Sequence, residues 1–131
     1  MRLDEGQVSV WMARVPAALP GGPVLDRAEE RRRDSFRFRE DGERWASCRS
    51  ILRRLAGAYL ARAPESLEFR LGQWGKPHLE GLSFNLSHSG DLCLLAFSRE
   101  QDLGVDVEAC RRIATEELKV GYRVRTYDDV G

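Results

Sequence analysis

Lysine is nearly missing from this chain. Of its 21 basic residues, nineteen are arginines and two, Lys76 and Lys119, are lysines. There is no net charge either, because 21 acidic residues balance the basic ones. That excludes a generally basic nucleic-acid binder and a polybasic membrane binder. Cysteine is sparse: Cys48, Cys93 and Cys110 are odd in number, scattered, and in no metal-ligand spacing. A disulfide framework and a structural zinc site are therefore not expected, and a reducing cytoplasm is the expected compartment. Long apolar runs are missing as well. The longest, residues 92–97, falls far short of the roughly 20 residues a spanning helix needs. No apolar targeting stretch follows Met1-Arg2-Leu3-Asp4.

What remains is the composition of one folded domain. The chain has 131 residues, with 42% hydrophobic and 32% charged, which is enough apolar material for a core and too much for disorder. Weak alternation over residues 8–15 predicts a first strand with Trp11 on one face. Three prolines and two glycines make residues 16–23 a loop. Asp26 with Glu29 three positions on has capping-box spacing, opening a helix over residues 27–38. Asp41 is expected to cap a second helix that runs to Ala63, before Pro64. Trp45, Cys48, Leu52, Leu55, Tyr59 and Ala63 recur every three or four positions, forming one buried stripe. Arg49 lies within about 60° of that stripe's centre, where a cation must pair, face an anion or snorkel to solvent.

Beyond Pro64 the pattern turns to strands. Residues 67–71 alternate, and Gly75-Lys76-Pro77 reads as a turn or edge feature. Residues 83–87 form a strand turned by His88-Ser89-Gly90-Asp91. Residues 92–98 are apolar on both faces, as in a covered central strand. Residues 102–108 make the next strand. Short strands with tight turns predict an antiparallel sheet packed against the long helix, an α+β architecture. Residues 109–131 show weak periodicity and no evident core role.

Four pieces bear chemistry. In Gly104-Val105-Asp106-Val107-Glu108 the strand period puts Asp106 and Glu108 on one face, opposite the valines. Such a pair suits a hard divalent cation, Mg²⁺ above all, although the pattern alone favours the polar face of a half-buried strand. In Phe84-Asn85-Leu86-Ser87-His88-Ser89-Gly90, Asn85 and Ser87 face away from Phe84 and Leu86. Together with His88 they offer donors for phosphate oxygens, or simply cap a turn. Gly75-Lys76-Pro77 combines close backbone approach, a point charge and a stiff exit. Arg31-Arg32-Arg33 before Phe36 and Phe38 is ringed by acids and reads as a solvated helix face.

In this order, the Arg-rich helix, Gly-Lys-Pro, Phe-Asn-Leu-Ser-His-Ser-Gly and Gly-Val-Asp-Val-Glu are similar to the Sfp-type 4'-phosphopantetheinyl transferases. The resemblance covers about residues 8–110. It implies residues 1–110 as one lobe of a two-lobed pseudo-dimer, with residues 111–131 a divergent tail and no separate domain. It implies transfer of the phosphopantetheine arm of coenzyme A to a serine of an acyl or peptidyl carrier protein. Asp106 and Glu108 would hold Mg²⁺ on the diphosphate, and with His88 they stand as the catalytic set. Arg32, Arg49, Gly75, Lys76, Pro77, Asn85, Ser87 and His88 would bind coenzyme A. A Trp-x-x-Lys-Glu-Ala string expected downstream does not occur here. A truncated, non-catalytic coenzyme A-binding fragment is thus the alternative reading. An exposed inter-lobe face would favour self-association. Neither nucleic acid nor membrane is an expected partner.

Overall fold

The structure is a computed structural model, and it describes residues 1–4, 7–72, 75, 77–99 and 123–127. A first strand, β1 (Val8–Arg14), leads through a loop to helices α1 (Arg27–Asp34) and α2 (Arg39–Leu60). A single 3-10 turn, Pro64–Ser66, precedes the two-residue strands β2 (Arg70–Leu71) and β3 (Pro77–His78). Then come β4 (Ser83–Ser89), β5 (Leu92–Ser98) and β6 (Arg123–Thr126). The main sheet has the order β4-β5-β1-β6, while β2 and β3 form a small hairpin apart from it.

All seven residues of β5 are buried, as its two-sided apolar pattern requires. It lies between β4 and β1 and pairs antiparallel with both. One sheet face carries Trp11, Ala13, Phe84, Cys93, Leu95 and Phe97, which share a core with Cys48, Ile51, Leu52, Leu55, Ala56 and Tyr59 of α2. The contact is specific as well as apolar. Trp11 Nε1 donates to Tyr59 Oη at 2.9 Å, and the Tyr59 and Phe97 rings lie 5.1 Å apart. The buried indole and phenol thus satisfy each other. Val10, Leu92, Leu94 and Ala96 form a second buried cluster on the opposite face.

Several boundaries differ from the pattern-based expectation. The sheet is mixed, because β6 runs parallel to β1. The tight-turn logic that predicts antiparallel pairing applies to hairpins, and a long connection leaves strand direction free. The tail is not without a core role either: Arg123–Thr126 pairs with β1, and Tyr127 packs against the first cluster. Helix α1 stops at Asp34, where the Ser35 hydroxyl donates to Arg32 O at 2.7 Å and ends the winding. The N-cap of α2 is Phe38, without a side-chain cap; Asp41 instead lies in the first turn, favourable to the helix dipole. α2 ends at Leu60 with Ala61 left-handed, so Ala63 is beyond the helix and exposed. Of residues 67–71 only Arg70–Leu71 is strand.

The corner between the helices needs a residue without a side chain. A Cβ on Gly42 would sit 2.5 Å from Arg33 O, inside contact distance. The loop of residues 16–23 is tied along α2. Ala17 N donates to Ser47 Oγ at 3.1 Å, Val24 N to Ser50 Oγ at 3.0 Å, and Arg54 Nη2 to Pro20 O and Gly22 O at 2.8 and 2.9 Å. Among the described residues no helix is long and apolar enough to cross a membrane.

Candidate functional site

The capping box at the start of α1 is the foundation of the site. Glu29 N donates to Asp26 Oδ1 at 2.7 Å, and Asp26 N donates to Glu29 Oε1 at 2.9 Å. Glu29 is only 8% exposed, because the same carboxylate meets α2. Its Oε1 also accepts from Arg53 Nε at 2.8 Å. Arg53 is 2% exposed and fully engaged. Its Nη1 donates to Pro64 O and Leu67 O, both at 3.0 Å, and its Nη2 to Asp26 Oδ2 at 3.1 Å. A buried charge is tolerable only with such partners. Pattern reading singles out Arg49 and misses Arg53, although a residue four positions on lies about 40° away on the same wheel.

Arg49 contrasts with its neighbour. Its Nε is 3.2 Å from Glu29 Oε2, within ion-pair reach, yet the N–H is not aligned on that oxygen and makes no hydrogen bond. The guanidinium carbon lies 5.5 Å from the Trp45 ring centre and 5.3 Å from that of Phe69. Burial pushes the Arg49 pKa below the ordinary arginine range; Glu29 opposes that shift and Arg53 adds to it.

These contacts belong to a longer ladder. Arg32 lies over Phe36 at 5.2 Å, Phe36 faces Trp45 at 6.1 Å, Trp45 meets Arg49, and Arg49 meets Phe69. Phe69 then packs edge-on against Phe84 of β4 at 5.6 Å. Arg32 and Arg49, separated in sequence, are thus linked through aromatic rings to the strand that carries Asn85, Ser87 and His88. Trp45 and Phe69 enter the site only through this three-dimensional arrangement.

On β4 the predicted residues divide between faces. Asn85 and Ser87 pair across the strand with Ala96 and Leu94, beside the second cluster. His88 pairs with Cys93 on the Phe84 face and is exposed. It is a strand residue rather than part of the turn, because Gly90 at φ +58° lets Gly90-Asp91 alone reverse the chain. Beneath it, Cys93 is buried; a hydrogen bond with Cys48, followed by burial, pushes its thiol pKa far up, so it is no nucleophile. Gly75 is exposed at φ +71°, its N–H donating to Gly72 O at 3.2 Å, and Pro77 pairs with Leu71. Lys76, Asp106 and Glu108 lie outside the described residues. Among those described, no group of three or more His, Cys, Asp or Glu side chains could hold a metal. A cleft of about 810 Å³ opens between the residue 16–23 loop and the corner of the helices, and no predicted site residue lines it.

No protein-family model matches the chain. Three curated proteins are similar to it. The 4'-phosphopantetheinyl transferase HetI of a Nostoc species is 35% identical over 123 residues, covering 85% of this chain and 51% of its own length. The slr0495 protein of a Synechocystis species, provisionally named for the same activity, is 32% identical over 78% of this chain and 44% of its own. A phosphopantetheinyl transferase of a Thraustochytrium species is 30% identical over 76% of this chain and 39% of its own. The chain spans about half the length of the first of these and less of the other two.

Proposed function

We propose, from the premise that this chain belongs to the 4'-phosphopantetheinyl transferases, that it supplies the coenzyme A side of phosphopantetheine transfer to a carrier-protein serine. In that reaction the serine oxygen attacks the phosphorus bearing the pantetheine arm. The bond to the other phosphate breaks, 3',5'-ADP leaves, and the serine proton passes to a base. Catalysis of this kind needs positioning and neutralised oxygens more than covalent help. Arg32 and Arg49 at the aromatic ladder, with Lys76, are the cations proposed for the phosphates. Asn85 and Ser87 offer neutral donors on one face of β4, and His88 a switchable one on the other. Gly75 leaves backbone open to the nucleotide, and Pro77 fixes the chain behind Lys76. Asp106 and Glu108 are the residues proposed for Mg²⁺, which would polarise the diphosphate when bound. The described residues supply no alternative metal cluster. The acyl or peptidyl carrier protein is the proposed acceptor.

The observation that carries this reading is the kinship of motif order and sequence, 35% identity to HetI, joined to a ladder that brings two of the predicted arginines to β4. The missing Lys-Glu-Ala string favours a second reading, a coenzyme A-binding part that does not turn over alone. One experiment separates the two. The chain is incubated with coenzyme A, Mg²⁺ and an apo carrier protein, and the carrier is weighed by mass spectrometry while the chain's melting is followed. We expect coenzyme A to raise the melting temperature and the carrier to gain little or no mass. Ready modification, abolished by Asp106→Ala, would replace the second reading by full activity. Melting and carrier mass both unchanged would sink the coenzyme A assignment itself.

A further inference from the structure

We infer that the cleft between the residue 16–23 loop and the corner of α1 and α2 binds an amphipathic monocarboxylate, with its apolar body in the cleft and its carboxylate on Arg37. The inference goes beyond the transferase reading and does not rest on it.

The cleft measures about 810 Å³, within the roughly 300–1,000 Å³ usual for small-molecule sites. Three segments supply its apolar lining: Leu19 and Pro23 of the loop, Phe36 between the helices, and Ala46 of α2. The loop wall is built before any ligand arrives. Ser47 Oγ and Ser50 Oγ accept from Ala17 N and Val24 N, and Arg54 Nη2 donates to Pro20 O and Gly22 O. The opposite wall is set by the close approach of α2 to Arg33 at Gly42. Walls fixed in this way lose little freedom when a ligand enters.

Charge then selects the ligand. Among the described residues, three arginines and two acids line the cleft. Both acids are taken: Arg33 Nε donates to Asp34 Oδ1 and Arg39 Nε to Glu43 Oε1, each at 3.0 Å. Arg37 is left over. Its guanidinium carbon lies 5.3 Å from the centre of the Phe38 ring, which is 61% exposed, and it pairs with no acid among the described residues. One uncompensated cation matches one carboxylate, whose two oxygens suit the guanidinium fork. The apolar lining disfavours an anion charged along its length, such as a diphosphate, whose oxygens would lose water there without gaining partners.

The test titrates the full chain with octanoate, octanol and acetate, following calorimetric affinity and amide NMR signals. We expect octanoate to bind one per chain and to shift the signals of Ala17, Gly22 and Ser47. Octanol lacks the charge and acetate the apolar body, so each should bind about tenfold more weakly or worse. Arg37→Gln is expected to weaken octanoate by about tenfold, the scale of a lost charge-assisted pair, and to leave octanol unchanged. Leu19→Gln should weaken octanoate and octanol together. Where Leu19→Gln fails to fold, the exposed Arg37→Gln decides alone. Arg31→Gln removes the same charge outside the cleft and should leave octanoate affinity unaltered. Equal losses in Arg31→Gln and Arg37→Gln would reduce the effect to overall charge and overturn the assignment. So would a wild-type chain that ignores octanoate, or shifts that fall away from the cleft. Saturating coenzyme A should leave the octanoate shifts in place; their loss would put the acid in the nucleotide's site and overturn a separate cleft.

Discussion

Arg53 and Arg49 stand one helical turn apart on α2 and meet the same carboxylate, yet they live under different rules. The surroundings of Arg53 are complete: two acids, two carbonyls and the Phe69 ring at 5.1 Å leave it nothing to seek. Arg49 has rings and a carboxylate near it but no aligned acceptor. The difference separates a cation whose donors are all taken up by the fold from one whose Nε is left without an aligned acceptor. Identical side chains on one helix thus differ by how many acceptors the neighbouring segments bring within reach.

The comparison can be broken by substitution. The largest effect is expected from Arg53→Met, which strands Glu29 and two carbonyls in the interior; about 3–5 kcal/mol of unfolding free energy should be lost in urea titration. A loss under about 1 kcal/mol there would show that Arg53 is no more structural than Arg49. Gly42→Ala should follow at about 1–3 kcal/mol, since the added methyl meets Arg33 O at 2.5 Å and must push α1 away. That shift moves Glu29 relative to both arginines.

Arg49→Met should change stability by no more than about 1 kcal/mol, because Glu29 keeps Arg53 as its partner. The sign follows from the pKa direction. A cation whose folded pKa lies below its unfolded value binds its proton less well when folded. At neutral pH its charge therefore costs stability, and that cost is relieved only as pH rises through the folded pKa. A marked loss of stability in Arg49→Met would place Arg49 with Arg53. The smallest effect is expected at the exposed pair Arg39–Glu43, 3.0 Å apart at i,i+4 spacing. Arg39→Gln should cost about 0.5 kcal/mol or less and fade with added salt, giving the baseline for an arginine with neither role.

The elements that depend on neighbouring residues were readable from sequence. The capping box at Asp26 and Glu29, the two-sided burial of β5 and the Trp11 strand follow from spacing alone. What escaped depends on segments distant in the chain. The direction of β6 is set by a partner more than a hundred residues away. The burial of Arg53 depends on the carbonyls of Pro64 and Leu67 turning toward it. His88 was displaced from turn to strand by the tightness of Gly90-Asp91, which puts it on the Phe84 face and apart from Asn85 and Ser87. Of the candidate site, motif order named Arg32 and Arg49, but their joining through Phe36, Trp45 and Phe69 was not encoded in any single spacing.

The serine tethers along α2 carry a consequence for how the molecule breathes. Ala17 and Val24 belong to irregular chain, yet their amide protons point at hydroxyls anchored in a helix. Deuterium can replace those protons only when the strand-to-helix crossing lifts off α2, so this segment keeps the slow clock of the helix rather than the fast one of a surface loop.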